Sequence, residues 1–290
     1  HIGDSIAKEA GAGLSLEELV APPDGLKHQL LREASRDELV DAMTRSLKYM
    51  RASGTSHAFE FREGGAEGID ALREAATGID LTVVALGRGD TDVLEIADGY
   101  GASGAADGDF SRQRAACRNE GKPFAIHAGE VDAGDINPAL DLDPDLLVHM
   151  VHAEEVHLDR VDDSDIPVAI CPRSNLDTGV GLPPVRDLLD RTTVALGTDN
   201  VFLNAPSMFR ELEFAEKLFD ITAREALEMA TVAGAEVFDL NAGCIEPGRE
   251  GHVMVLDGDS NNLAGYQDPI RAIVRRADVG DVASIRGPGA

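Results

Sequence analysis

Short apolar runs rich in β-branched residues alternate with amphipathic segments along most of this chain, and this alternation constrains its fold more than any other feature. The strand-like runs lie at residues 58–61, 81–86, 124–126, 146–148, 168–170 and 194–196. Helical spacing of apolar residues marks the segments 37–51, 111–120, 184–191, 208–218 and 224–233. Ser35 with Glu38 and Thr222 with Glu225 have the spacing of capping boxes, which predicts where two of these helices begin. Because strands that alternate with helices pair in parallel, the pattern predicts an α/β fold with a helix-covered parallel sheet.

Two architectures fit such a sheet. A closed barrel of eight strands needs ~250 residues, and the chain has 290. An open, doubly wound sheet is the alternative. After Phe238 the composition and the pattern of the sequence change, because residues 243–290 are rich in Gly and Asp and contain strand-like runs at 253–256 and 270–274. A small β unit is therefore expected to begin near Asn241.

The charge balance is strongly acidic, with 26 Lys and Arg against 53 Asp and Glu and a net charge of −27. Nucleic acids and anionic membranes both demand a basic face, so these partners are excluded and a small-molecule ligand is expected. No apolar run reaches 18 residues, so no membrane span is predicted. Lysine occurs at five positions. An acidic, lysine-poor surface predicts a salt-adapted protein, because molar salt screens charge repulsion to within roughly 3 Å.

The three cysteines, Cys117, Cys171 and Cys244, are odd in number and far apart. This spacing is typical of a reducing compartment and predicts a cytoplasmic protein rather than a disulfide framework. The first residue is His1 rather than Met, so we expect a processed or clipped chain, in which no signal peptide can be read.

Polar side chains with useful chemistry directly follow four of the strand-like runs. They are His127 and Glu130 after residues 124–126, His149 after 146–148, the segment 171–175 after 168–170, and Asp199 after 194–196. In parallel α/β folds the carboxyl ends of the strands share one face, and the site lies on that face. Two histidines and an aspartate would therefore converge on one point. Neutral imidazole and carboxylate suit a divalent first-row metal ion.

Several neighbouring residues have plainer interpretations. Ser174 and Asn175 are expected to brace a loop by hydrogen bonds, and Cys171 to be a small buried hydrophobe. His152 and His157 are expected at the surface or at the rim of the site.

Three further histidines, His28, His57 and His252, lack the spacing of metal ligands. Residues 99–104 match G-x-G-x-x-G, but without the strand, helix and later acid of a dinucleotide site, and we interpret them as a glycine-rich loop at a strand end. A serine nucleophile is disfavoured because no G-x-S-x-G elbow occurs.

In these motifs the sequence resembles the amidohydrolase superfamily, in the branch that holds cytosine, adenosine and guanine deaminases and the triazine or chloro-hydrolases. The matching pieces are His127-Ala128-Gly129-Glu130, His149 with His152, Cys171-Pro172-Arg173-Ser174-Asn175 and Leu196-Gly197-Thr198-Asp199. The tail at 245–248 and 253–257 resembles the family's return into a small β-sandwich, so the resemblance covers nearly the whole chain.

The resemblance implies a (β/α)8 TIM-type barrel over residues 1–240, with a truncated first strand, and a C-terminal β-sandwich segment over residues 241–290. It implies one divalent metal ion, zinc or iron, held by His1, His127 and Asp199. Glu130 would be the proton shuttle, and His149 would hold the attacking water and polarise the substrate. No lysine follows the strand region at 94–101, so a carboxylated lysine bridging two metals is not expected.

The first barrel strand of that family ends in His-x-His, and both histidines are ligands. Residues 1–5 resemble the stretch that begins at the second histidine, so the first is expected two positions before His1. If His1 were itself the first histidine, position 3 should be His, but it is Gly3.

The function implied is hydrolysis of C–N bonds other than peptide bonds, by deamination of a nucleobase-like or other heteroaromatic amine. A cyclic amidase and a dechlorinating hydrolase are the alternatives among enzymes, and a catalytically inert metal-binding barrel is the alternative from another class. Assembly into a homo-oligomer stays open.

Overall fold

The computed structural model describes residues 1–20 and 24–287, and its central feature is a parallel sheet of seven strands. The strands are β1 (His57–Arg62), β2 (Thr82–Gly87), β3 (Gly99–Ala102), β4 (Phe124–Ala128), β5 (Leu146–His149), β6 (Val168–Ile170) and β7 (Val194–Leu196). They neighbour one another in chain order and form a curled half-barrel. A doubly wound sheet would reverse its strand order, so the predicted barrel-type α/β fold is confirmed and the open alternative is wrong.

Helices connect the strands on the outside of the curl. They are α1 (Leu16–Val20), α2 (Leu26–Glu33), α3 (Arg36–Ala52), α4 (Gly65–Ala76), α5 (Ser111–Glu120), α6 (Ile136–Asp141), α7 (Glu155–Ser164), α8 (Pro172–Thr178), α9 (Val185–Leu189), α10 (Met208–Leu218), α11 (Ala223–Met229), α12 (Val232–Glu236) and α13 (Pro269–Arg276). Short 3-10 segments cover Ile2–Ala7, Thr91–Glu95 and Val279–Asp281. Both predicted capping boxes are present, at the starts of α3 and α11.

Side chains of successive strand residues point alternately to the two faces of the sheet. In β4, Phe124 and Ile126 pack in the larger core beneath the helices, whereas Ala125 packs in a smaller cluster with Phe61 and Val148. This smaller cluster lies inside the curl. His127 shares the parity of Ala125, so its imidazole also faces the inside.

Strand β3 corrects the sequence analysis, which assigned residues 99–104 to a loop. Residues 99–102 instead form a fully buried strand between β2 and β4. Glycine is needed because a Cβ on Gly101 would lie 2.4 Å from a carbon of Phe61, and one on Gly99 would lie 2.6 Å from the Pro123 carbonyl oxygen. A strand made of such residues lacks the β-branched pattern on which the prediction depended.

The C-terminal region contains a second, antiparallel sheet of two strands, β8 (Val253–Leu256) and β9 (Val282–Arg286). The strand expected at 270–274 is wrong, because these residues lie in α13, which packs against α10 and α11. Asp268 caps that helix by accepting the Arg271 N–H, and Pro269 occupies its first turn, so local capping overrides the β-branched composition. Residues 288–290 of the predicted segment 241–290 lie outside the described residues.

The helix predicted over 224–233 is two helices, α11 and α12, because the chain turns at Ala230 and Thr231. Within the part of the chain that the structure describes, no helix is both long and apolar enough to cross a membrane.

Candidate metal centre and active site

His127 is the last residue of β4 whose side chain points to the inside of the curl, and it is 8% exposed. Its Nδ1 lies 2.9 Å from the Ala102 carbonyl oxygen, which can only accept, so Nδ1 carries the proton. The nearby Arg88 Nη2, at 3.4 Å, therefore has no lone pair to bond there. Burial, then the charge of Arg88 and the proximity of His149, lowers the pKa of His127 well below its usual value. The ring is thus neutral, with the Nε2 lone pair free to bind a metal ion.

Asp199 lies three residues beyond β7, with a left-handed backbone at φ +52°. Its Oδ2 accepts a hydrogen bond from the Ser174 hydroxyl, which begins to orient the carboxylate. Burial opposes ionisation, but His149 and the Ser174 hydrogen bond are among the contacts that outweigh it, and the pKa of Asp199 falls. The side chain is therefore an anion at neutral pH, as a metal ligand must be.

His1 is positioned from β1. Buried Glu60 accepts the Ile2 N–H at 2.8 and 2.7 Å, which fixes the segment that carries His1. A Cβ on Gly3 would lie 1.2 Å from Arg62 Nη1, so a side chain at position 3 would have to displace the Arg62 guanidinium.

The three predicted ligands lie together. The rings of His1 and His127 are stacked with centroids 5.5 Å apart, and His1 Nε2 lies 3.7 Å from Asp199 Oδ1. Each of the three residues offers one ligand atom, and these three atoms all lie within 4.8 Å of one another. Two imidazoles and a carboxylate are a donor set that zinc accepts, so these residues fit a divalent ion.

His149 and Glu130 form a pair beside this cluster. The His149 ring lies 5.4 Å from that of His127, and its Nδ1 lies 3.0 Å from Asn175 Oδ1. Its Nε2 faces Glu130 Oε2 at 3.6 Å. Burial, with a further contribution from the charge of Asp199, raises the pKa of Glu130 although His149 opposes the shift. Glu130 is thereby suited to hold and deliver a proton.

A buried charge network behind His1 was missed by the sequence analysis. Lys27 Nζ lies 3.1 Å from Asp4 Oδ2 and 2.9 Å from Glu63 Oε1, and Arg88 Nη1 lies 3.0 Å from that same oxygen. His1 Nδ1 is 3.4 Å from Glu63 as well. Glu63 and Arg88 directly follow β1 and β2, so the strand-end rule could have found them. Lys27 lies in α2, where no sequence signal marks it.

The structure agrees with some of the plainer interpretations of residues near the site and contradicts others. Cys171 is buried, and burial raises the pKa of its thiol well above the usual range, so it is the small hydrophobe expected. Ser174 and Asn175 form hydrogen bonds as expected, but they lie in α8 rather than in a loop, and their partners are Asp199 and His149. His157 is wrongly predicted as a rim residue, because it is 3% exposed and its Nδ1 accepts the Glu154 N–H that opens α7.

A cavity of about 930 Å³ is lined by residues of β1, of β5 to β7 and of the C-terminal region. His1, His127 and Asp199 are among the residues that line it. Its size is that of a pocket for a small organic molecule.

Comparisons with known proteins bear on the family and the fold of this chain. A 33% identical, uncharacterized protein from Methanocaldococcus jannaschii aligns over 312 residues, which is 97% of this chain and 82% of that protein. A 5-methylthioadenosine/S-adenosylhomocysteine deaminase from Haloarcula marismortui is 33% identical over 152 residues, or 49% of this chain and 35% of that enzyme. The crystal structure of a zinc-complexed atrazine chlorohydrolase from Arthrobacter aurescens shares the fold, with a TM-score of 0.81 at 19% identity over 100% of this chain and 80% of that one.

The model of one protein family, described as the amidohydrolase family, matches residues 1–284. This match takes in the barrel strands, the candidate metal cluster and most of the C-terminal segment. The chain therefore belongs to the amidohydrolase family.

Proposed function

We propose that this amidohydrolase deaminates a heteroaromatic amine, replacing a ring amino group by oxygen and releasing ammonia. The observation that carries the proposal is that the cluster of His1, His127 and Asp199 lies beside the His149–Glu130 pair at one end of the sheet. The first set suits a metal ion that activates water, and the second suits proton transfer to a ring.

His1, His127 and Asp199 would hold one divalent ion, for which zinc is proposed and iron(II) is the alternative with the same donor preferences. When bound there, such an ion would lower the pKa of water to roughly 7 and so supply hydroxide at neutral pH. The structure brings these donor atoms within 4.8 Å of one another.

The chain's own residues would then move protons. Asp199, ionised in its buried position, accepts the proton that water loses. Glu130, whose raised pKa lets it hold a proton, delivers one to the ring nitrogen next to the reacting carbon. That protonation makes the neighbouring ring carbon more electrophilic, and addition of the water oxygen to this carbon then breaks the aromaticity of the ring. The proton held by Asp199 would pass to the amino group, so that the C–N bond breaks with release of ammonia.

His149 would stabilise negative charge on the developing oxyanion. Its Nδ1 is used by Asn175, so this role requires a proton on Nε2 as well. Once Glu130 has delivered its proton, its carboxylate, 3.6 Å from Nε2, is placed to stabilise that second proton. Glu130 and His149 would therefore act together, Glu130 on the ring nitrogen and His149 on the oxyanion.

The test is ammonia release by the zinc-loaded chain on a panel of aminopurines, aminopyrimidines and aminotriazines. Glu130→Gln should keep its metal and lose ~10²- to 10⁴-fold in kcat/KM. Glu228→Gln, a change at an exposed position on α11, is the matched control and should retain turnover. Unchanged activity in Glu130→Gln would refute the shuttle role.

Other products would identify the other candidate reactions. Release of chloride, or opening of a cyclic amide without ammonia, would replace deamination by dechlorination or cyclic amide hydrolysis. Bound metal without turnover on any of these substrates would favour an inert metal-binding barrel.

The acidic surface supports a second proposal, that the protein works in a salt-rich cytoplasm. With a net charge of −27, self-repulsion is large in dilute buffer and is screened at molar salt. Unfolding followed against KCl concentration tests this, and full stability in dilute buffer would contradict it.

A further inference from the structure

A second cluster of two histidines and a carboxylate lines the same cavity as the candidate metal centre but lies at the other end of β1. Its members are His57, the first residue of β1, and Glu250 and His252, which precede β8. Strands rise about 3.3 Å per residue, so His57 lies roughly 13 Å along β1 from Phe61, which packs on His127. The cluster therefore belongs to the amino end of the strand, where the roles assigned above need no residue.

The spacing of the ligand atoms matches a metal site. His57 Nε2 and His252 Nε2 lie 3.4 and 3.2 Å from the same oxygen, Glu250 Oε2. Around a tetrahedral zinc ion with bonds of about 2.1 Å, neighbouring ligand atoms are roughly 3.4 Å apart. The two histidine rings meet edge to face, with centroids 5.2 Å apart, so both can present a nitrogen to one point.

A neighbouring hydroxyl group orients one of the three ligands, and the exposure of the cluster leaves space for a water molecule as the fourth. Ser56 Oγ lies 3.0 Å from His57 Nδ1, a hydrogen bond that orients the ring with Nε2 toward Glu250. The side chains of His57 and His252 are 11% and 13% exposed, whereas Glu250 is 40% exposed. Water can therefore reach the cluster from one side and complete a tetrahedron.

The loop that carries Glu250 is itself ordered by hydrogen bonds. The Glu250 N–H donates to the Asn241 carbonyl at 2.8 Å, and Asn241 Nδ2 donates to the Gly248 carbonyl at 2.9 Å. Close by, a Cβ on Gly54 would lie 2.4 Å from Met254 Sδ, which shows how tightly β8 approaches the connection before β1. These contacts order the backbone on both sides of the cluster without an ion.

We propose that His57, Glu250 and His252 bind a second divalent metal ion, with zinc preferred, which fastens the C-terminal sheet to the first strand of the barrel. The alternative is a plain ion pair, in which one protonated imidazole faces the carboxylate. Both explain a short histidine–carboxylate contact, but the ion explains why two imidazole nitrogens converge on one oxygen.

Zinc content separates these explanations independently of catalysis. After loading with zinc and dialysis, the wild-type chain should retain two ions, and His252→Gln and His57→Gln should each retain one. His152→Gln, a change at a partly exposed histidine outside both clusters, is the control and should retain two. A loss of ammonia release without a loss of zinc from this cluster would count against the proposed function and not against this site.

A second measurement guards against misfolding of the variants. In a His127→Ala background, where the first cluster is broken, cobalt(II) should still give the visible absorption of one tetrahedral ion, and His252→Gln should remove it. Added zinc should raise the unfolding midpoint of His127→Ala and leave that of the double variant unchanged. One ion in wild type, retained in His252→Gln, would overturn the proposal.

Discussion

The two histidine–carboxylate clusters lie toward opposite ends of β1 and differ in how the fold supports them. His127 lies near the end of β4 and Asp199 follows β7, and they are held by groups of the barrel itself, a backbone carbonyl and the Ser174 hydroxyl. His57 and Glu250 come from a strand start and a distant loop, and the carboxylate is 40% exposed. The first cluster is therefore rigid because of the sheet, whereas the second is rigid through the contact of two chain segments.

A buried ion pair between Arg173 and Glu211 lies behind the first cluster. Arg173 Nε lies 2.8 Å from Glu211 Oε1, and Arg173 directly precedes Ser174, which holds Asp199. Glu211→Ala would leave the guanidinium buried without its partner and should cost about 3–5 kcal/mol in the free energy of unfolding, read from denaturant curves. An unchanged midpoint would show that the pair does not support the site.

An exposed pair is the matched control. Glu225→Ala removes the contact with Arg186 at 2.8 Å and a capping box, and should cost about 1 kcal/mol.

The pH dependence of the free energy of unfolding is a further check on the buried pair, because burial raises the pKa of Glu211 to about 7 although Arg173 opposes the shift. A carboxyl pKa that is raised in the folded protein stabilises the folded state at low pH. The stabilisation from Glu211 should therefore decrease as the pH rises from 4.5, the usual pKa, to about 7, and Glu211→Gln should show no such decrease.

Hydroxyl groups that contact the ligands allow a direct comparison of the two clusters. Ser174→Ala should weaken zinc binding at the first cluster by roughly 10- to 100-fold, because the Asp199 carboxylate loses its orienting donor. Ser56→Ala should have a smaller effect at the second, because water can replace the hydroxyl beside the half-buried His57. Competition with a chromogenic chelator measures both affinities, and equal losses would show that the two clusters are supported alike.

The difference between the clusters also explains what the sequence could predict. The strands at 168–170 and 194–196 and both capping boxes were found, because local periodicity and spacing determine them. The sequence could predict that His127, His149 and Asp199 lie close together, because strand ends in a parallel sheet share a face whatever lies between them.

The remainder depends on tertiary contacts that no local pattern encodes. Strand β3 is set by close packing of Gly99 and Gly101, and Lys27 reaches Glu63 from a helix. His57 and Glu250 are far apart in the chain and meet only because β8 packs near the start of β1. Their spacing in the sequence therefore gave no sign of a site.

The most direct test of the central claim is to measure zinc content and ammonia release together in His127→Ala. Because His127 is assigned to the first cluster alone, the variant should lose one ion and more than ~10³-fold of its ammonia release while keeping the second ion. Full zinc content with undiminished ammonia release in His127→Ala would contradict the account.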